Sequence, residues 1–390
     1  MSGLDIALLV VTALVAISGY IEGFVLGACA TLGLLAGAAV GVYGVPRVLD
    51  QFSPSVEVSF AALVLVVILA SIGRTVGALL GSKLRNKISW KPVKAVDALG
   101  GAALAAVSVL VVSWVLGVAV SGARIPSVTS AVRGSEVLAK VDQALPSGAD
   151  RALQAFNDVV NTDLFPRFLD PFVPERIRDT QPPDGAIARN PAVRAAYSRI
   201  AKVTGVANCS RGLEGSGFVY APQRVMTNAH VVAGVSSPKV EVNGQKYDGT
   251  VVLFDSSVDI AVLYVPELEA KPLAFDLDGK ADATAVVLGY PENGPFDAEA
   301  ARIRSEERLR GPDIYGDKTV TRRAFSIWAS VRPGNSGGPL ISPKGTVYGV
   351  VFAASVEDNR TGYVLTAEQV AEDAAAGARA TQEVSTRSCT

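Results

Sequence analysis

Histidine occurs once in this chain, as His230, and cysteine three times, as Cys29, Cys209 and Cys389, with no Cys-x-x-Cys pair. So few thiolates and imidazoles cannot assemble a zinc site, and no metal or other cofactor is expected. A basic excess is also missing: 36 Lys and Arg stand against 37 Asp and Glu, a net charge of −1. Without surplus cations to displace phosphate counterions, nucleic acid is not an expected partner. Acidic residues are scarce before residue 122, and later residues carry charge at ordinary density. No internal repeat or low-complexity tract is visible.

What is plentiful is apolar surface: 49% of residues are hydrophobic and only 19% charged, with a mean hydropathy of +0.33. The length of 390 residues allows two or three compact units. A helix crossing the bilayer core needs about 20 apolar residues. Ile6–Tyr20, Phe24–Val45, Phe60–Leu80 and Ala98–Val120 approach or meet that length. The first is the shortest and requires Asp5 and Glu22 near the interfaces. A cleaved signal peptide over residues 1–30 is the competing reading, but Met1–Asp5 holds no Lys or Arg to form its basic start. Gly27, Gly33, Gly37, Gly41, Gly100 and Gly101 recur through the spans, and small residues let helices approach closely in lipid. A packed four-helix membrane domain over 1–122 is therefore expected.

Its orientation is legible in one loop. Lys83, Arg85, Lys87, Lys91 and Lys94 lie between the third and fourth spans, with Arg74 just inside the third. The preceding loop offers Arg47, balanced by Asp50 and Glu57. The positive-inside rule places the loop around 81–97 in the cytoplasm, and hence everything after 122 on the periplasmic or extracellular side. Residues 123–195 read as a linker. Ser135–Leu145 and Ala149–Val160 suit short amphipathic helices, and Pro171–Pro191 carries five prolines with interspersed charge. Proteolysis, by the enzyme itself or by another, is expected to concentrate there.

From 196 to 390 the pattern turns to short β-type runs broken by Gly, Pro, Asn and Asp. Examples are Gly217–Tyr220, Lys239–Val242, Gly249–Phe254, Ile260–Val265, Ala285–Leu288 and Thr346–Phe352. This length suits two packed six-stranded barrels. Three motifs follow in order: Thr227-Asn228-Ala229-His230, Asp255-Ser256-Ser257-Val258-Asp259-Ile260-Ala261-Val262-Leu263, and Pro333-Gly334-Asn335-Ser336-Gly337-Gly338-Pro339-Leu340. A serine hydroxyl attacks carbonyls only when a base takes its proton. A neutral imidazole does this and later protonates the leaving amine, while a carboxylate behind it fixes the tautomer. A lone histidine is more often structural, but the resemblance given below places a base at this position. Ser336 is the candidate nucleophile, His230 the base and Asp259 the acid, with Asp255 as the competing carboxylate.

The three motifs resemble the chymotrypsin-like protease superfamily, in its bacterial trypsin-like and heat-shock-protease branch. The order His, Asp, Ser agrees with that superfamily and not with subtilisins or α/β-hydrolases. The resemblance implies an all-β double β-barrel protease domain, so that with the apolar spans the expected fold is a four-helix transmembrane domain followed by that protease domain. It implies an oxyanion hole from the N–H groups of Gly334 and Ser336, and an S1 pocket lined by Ser330 at its base and Ala354 on its wall. No carboxylate falls in that pocket by motif, so an uncharged P1 residue is expected. The N-terminal spans resemble the four-span family named for colicin V production, which implies an anchor or small membrane module. Fused to such a protease, the whole chain is similar to the membrane-anchored, periplasmic acid-resistance serine proteases of actinobacteria. That resemblance implies cell-envelope proteins as substrates, membrane lipid as surroundings and a role in acid and oxidative stress. An acid role is in tension with an imidazole base, which loses function as it protonates. About 50 residues follow Ser336, so a PDZ module is not expected.

In an oxidising compartment Cys209 and Cys389 read as a disulfide, with two free thiols as the alternative. Cys29 reads as a small apolar residue of the second span. The charged stretch Asp297–Asp317 reads as a surface loop or a solvated helix. Two rival functions remain open at this stage: a protease fold kept as a silent scaffold, and an external sensor for a membrane transport module.

Overall fold

The computed structural model describes residues 1–49, 56–121, 125–145 and 171–389. The chain divides into two compact units, Met1–Gly117 with Ser135–Ala144, and Val118–Gly134 with Leu145–Thr390.

The first unit is built on α1 (Gly3–Glu22), α2 (Phe24–Leu49), α3 (Val56–Arg85) and α4 (Lys91–Ser121). Each is long and apolar enough to cross a membrane. The Ser2 hydroxyl accepts from Asp5 N–H while the Asp5 carboxylate accepts from Ser2 N–H, closing a capping box at the start of α1. Asp5 also accepts from the Ser135 hydroxyl at 2.6 Å and from Val137 N–H at 3.2 Å, fastening α6 (Glu136–Ala144) to α1. Glycine decides how α2 meets α3. A Cβ on Gly37 would lie 2.3 Å from Leu69 O, and one on Gly77 would lie 2.1 Å from Cys29 O. The two backbones therefore touch, the close approach that small residues permit in lipid. The turn between α1 and α2 is closed by Asp97, which accepts from Val25 N–H at 2.9 Å and pairs with Arg85 at 2.8 Å. Arg85 in turn donates to Ile21 O at 2.8 Å, so helix-end groups that lack intrahelical partners find them in side chains.

The second unit opens with α5 (Pro126–Arg133) and carries two sheets. Strands β1 (Ile200–Val206), β2 (Gly212–Ala221), β3 (Arg224–Thr227), β4 (Lys239–Val242), β5 (Gln245–Asp248), β6 (Thr250–Asp255) and β7 (Ile260–Tyr264) form one antiparallel sheet, ordered β5-β4-β1-β2-β3-β7-β6. Strands β8 (Thr284–Gly289), β9 (Asp297–Pro312), β10 (Thr319–Trp328), β11 (Pro339–Ile341), β12 (Val347–Ala354) and β13 (Thr361–Thr366) close into a barrel. The first sheet thus differs from the expected six-stranded barrel by having seven strands and staying open. Helices α7 (Pro191–Ala196), the single turn α8 (Ala229–Val232) and α9 (Ala371–Arg379) complete the unit. A shared core, with Ile200, Phe218, Met226 and Ile260 from the sheet and Leu288, Ile341, Val350 and Phe352 from the barrel, binds the two together.

Two expectations need correction. Asp297–Asp317 is neither a loop nor a helix: its first sixteen residues are β9, paired with β8 over Asp297–Arg302 and with β10 over Arg302–Pro312. Charges that read as solvated pair across strands, as when Arg323 grips Glu306 at 2.6 Å, and so support the ribbon. The proline-rich stretch is not extended throughout, since Gly185–Arg189 forms a 3-10 helix, and from 172 to 180 it is strapped to the barrel. Glu175 accepts from Val356 N–H at 3.1 Å and from the Tyr363 hydroxyl at 2.7 Å. Arg178 and Arg304 each donate to the other's carbonyl, at 2.8 and 2.7 Å. Arg133, 4% exposed, donates to Val173 O and pairs with Glu357 at 2.9 Å. Of the two proposed amphipathic helices, the first is α6; Ala149–Val160 lies outside the described residues.

Candidate active site

His230 sits on α8, the single turn that follows β3, with Asn228 at its cap. The Asn228 amide donates to Asp259 O at 2.8 Å, tying the turn that carries His230 to the strand entry at Asp259. Asp259 is fully buried and meets His230 twice. Its Oδ1 accepts the backbone N–H at 3.0 Å, and its Oδ2 lies 2.8 Å from Nδ1. Two contacts to one residue fix both the helix turn and the ring. Asp259 holds φ +72°, an unusual conformation for a residue with a side chain. Asp255 makes that conformation tenable: its carboxylate accepts from Ser257 and Val258 N–H, and its carbonyl accepts from Asp259 N–H. The two competing carboxylates therefore have different duties, Asp255 shaping the turn and Asp259 facing the imidazole.

Ser336 lies between β10 and β11 in a turn closed by its own neighbours. Arg332 N–H donates to Asn335 Oδ1, Asn335 N–H to Arg332 O, and Gly338 N–H to Asn335 O. Gly337, at φ +83°, has no room for a side chain: a Cβ would lie 2.2 Å from Ser216 O and 2.4 Å from Thr227 Oγ1. Its position against Thr227 and Asn228 brings the Ser336 turn onto the segment that carries His230. Gly334 has φ +87°, and a Cβ there would lie 2.4 Å from Tyr290 O. Glu292 N–H donates to Pro333 O at 2.7 Å. Because the peptide is planar and trans, that bond turns the Gly334 N–H to the opposite face. Ser216 supports the turn from below, its hydroxyl donating to Gly334 O at 2.6 Å and its N–H to Ser336 O at 2.8 Å.

The remaining candidates are placed as follows. Ser330 is exposed on the segment after β10, and Ala354 is half-buried at the end of β12. Cys209 and Cys389 are joined as a disulfide, Cα atoms 6.4 Å apart. The tail it holds also bridges the two sheets. Thr386 O accepts from Gly234 N–H and, with Ser388 O, from the Tyr315 hydroxyl. Cys29 is a free thiol. Among the described residues no cluster of His, Cys, Asp or Glu could hold a metal ion. Ser216, Asn228, Glu292 and Arg322 shape this site and were not singled out from the sequence. Only Asn228 lay inside a motif.

Comparison with known proteins agrees with this architecture. Residues 215–350 match the trypsin-like peptidase domain family, and residues 4–146 match the colicin V production protein family. Serine protease Rv3671c of Mycobacterium tuberculosis is 41% identical over 390 residues, covering 99% of this chain and 98% of that protein. The crystal structure of the Rv3671c protease in its active form matches with 48% identity and a TM-score of 0.54, covering 57% of this chain and 98% of that one. The Do-like serine protease HtrA of Lactococcus lactis is 32% identical over 164 residues, 38% of this chain and 39% of that protein.

Proposed function

The chain belongs to the family of the serine protease Rv3671c, and from that premise we propose that it is a membrane-anchored endopeptidase acting through Ser336, His230 and Asp259. The observation that carries this reading is the double contact of Asp259 with His230, beside a serine turn seated on the same segment. Ser336 Oγ attacks the scissile carbonyl while His230 Nε2 takes its proton. Asp259 holds Nδ1 protonated and stabilises the imidazolium that forms. The N–H groups of Gly334 and Ser336 receive the oxyanion, each donor worth roughly 3–4 kcal/mol in the transition state. The imidazolium returns its proton to the leaving amine. Water then repeats the sequence on the acyl-enzyme.

The basic loop around 81–97 favours a protease domain on the periplasmic or extracellular side, with proteins of the cell envelope as substrates. A role in acid and oxidative stress is consistent with the disulfide-held tail. Ser330 and Ala354, both small and uncharged, favour an uncharged P1 residue. The strapped segment after Pro171 leaves self-cleavage to fall upstream of 172. Profiling the detergent-solubilised full chain on a peptide library, beside Ser336→Ala, tests the reading. Cleavage by the wild type alone, after uncharged residues, is expected; dominance of Lys or Arg at P1 would refute the pocket assignment.

A further inference from the structure

Behind Asp259 lies a buried cation supplied by the other sheet. Arg322 stands on β10 of the barrel and is 1% exposed. Its Nε donates to Ser257 O at 2.8 Å and its Nη1 to Pro312 O at 3.0 Å. Ser257 belongs to the turn that delivers Asp259. Its N–H is already held by Asp255, so the Ser257 residue is pinned on one side by Asp255 and on the other by Arg322. Two residues later Asp259 takes its left-handed conformation.

Burial pulls the Arg322 guanidinium down from its ordinary value; the carboxylates of Asp259, then Asp313 and Asp255, oppose this. Each faces Arg322 from a different place. Asp313 is at the tip of the β9–β10 ribbon, Asp255 ends β6 and Asp259 precedes β7. Asp313 spends its Oδ1 on Tyr315 and Asp317 N–H, and Asp255 spends its Oδ1 on Ser257 and Val258 N–H. The packing does not require a charge here. The next inward positions of β10 are Ala324 and Ser326, both fully buried. An apolar residue would avoid the desolvation that a buried ion suffers.

We infer that Arg322 is a positioning residue for the Asp259–His230 pair. Through Ser257 it fixes the turn that presents Asp259. The inference rests on the reading of Asp259 as the acid. Two effects follow from removing the cation. The turn loosens, so the rate at the pH plateau falls. A His230 imidazolium is no longer repelled by a nearby like charge, so the acid limb moves to higher pH. Of the other titrating groups nearby, Asp373 on α9 faces Asp255, and an Asp373→Asn control removes it from the profile.

The test is the rate of fluorophosphonate labelling at Ser336 against pH, in the full chain in detergent. Wild type, Arg322→Gln, Arg322→Lys and Ser336→Ala are compared. For Arg322→Gln the expected result is a plateau about tenfold or more below wild type and an acid limb raised by about half a unit or more. Arg322→Lys keeps the charge without the fork, so it should hold the wild-type limb and lose part of the plateau. A folded Arg322→Gln with the wild-type limb overturns the inference whatever its plateau, because a merely structural arginine would leave the limb in place. If Arg322→Gln does not fold, Arg322→Lys decides: a wild-type plateau, or a limb displaced as far as half a unit, overturns it. A wild type that takes no label overturns the reading of the site itself, an outcome distinct from both.

Discussion

The Ser216 hydroxyl donates to Gly334 O at 2.6 Å and accepts from Tyr290 N–H at 2.8 Å, so one buried side chain of the first sheet holds two segments of the barrel in register. The proposed oxyanion turn is therefore shaped across the sheet interface. Replacing Ser216 with alanine leaves a buried carbonyl and a buried N–H without that partner, a loss of about 1–3 kcal/mol. Labelling of Ser336 by a fluorophosphonate should slow at least about tenfold while the fold persists. An unchanged labelling rate in Ser216→Ala would show that the turn holds its shape alone.

The strap makes a separate prediction about stability. Glu175→Ala frees both Val356 N–H and the Tyr363 hydroxyl, whose proton burial and the nearby Glu175 hold tightly. A loss of about 1–3 kcal/mol is expected, lowering the unfolding midpoint by about 2–4 °C per kcal/mol. In a double-mutant cycle Tyr363→Phe should remove part of that loss; strictly additive effects would mean the two groups do not interact.

Asp373 gives a pH signature. Burial, then Asp255 and Glu372, raise its carboxyl to about 7. The folded state thus holds this proton more tightly than the unfolded chain, whose aspartate titrates near 3.9. Stability from this group is fully present below about 3.9 and is lost as pH rises through about 7. Asp373→Asn should raise the unfolding midpoint by several degrees at pH above about 8 and leave it unchanged near pH 4. An increment equal at both pH values would mean the carboxyl titrates normally.

In the membrane unit Gly77→Leu should prevent α2 and α3 from meeting, because even its Cβ would lie 2.1 Å from Cys29 O. The expected outcome is loss of full-length protein from membranes, or a lowered unfolding midpoint in detergent. Wild-type accumulation and midpoint would contradict the packing.

Much of this was legible in the chain because the signals are local. Three motifs carried the candidates His230, Asp259 and Ser336, of which the structure sets Asp259 against His230, and apolar length carried the four helices. What escaped depends on distant partners. Arg322 and Arg323 are neighbours in sequence, yet strand alternation buries the first and sends the second out to Glu306, and a buried arginine contradicts hydropathy. Asp297–Pro312 misled because its cross-strand partners, not its own periodicity, make it a strand. Ser216 lies in the middle of β2, in a run that reads as a strand, but nothing local announced that its hydroxyl reaches Gly334 across the sheets. Glu175 lay in a stretch with linker composition, and nothing there announced Tyr363.

Everything proposed for this site depends on Ser336 being activated by His230 and Asp259. The most direct test of that activation is intact-mass and peptide mapping of the full chain after fluorophosphonate treatment, with Ser336→Ala, His230→Ala and Asp259→Asn beside wild type. One adduct is expected on the wild type, mapped to Ser336, absent from Ser336→Ala and slowed by at least about a thousandfold in the other two. No adduct on folded wild type with Cys209 and Cys389 joined, or an adduct that survives undiminished in His230→Ala, would contradict it.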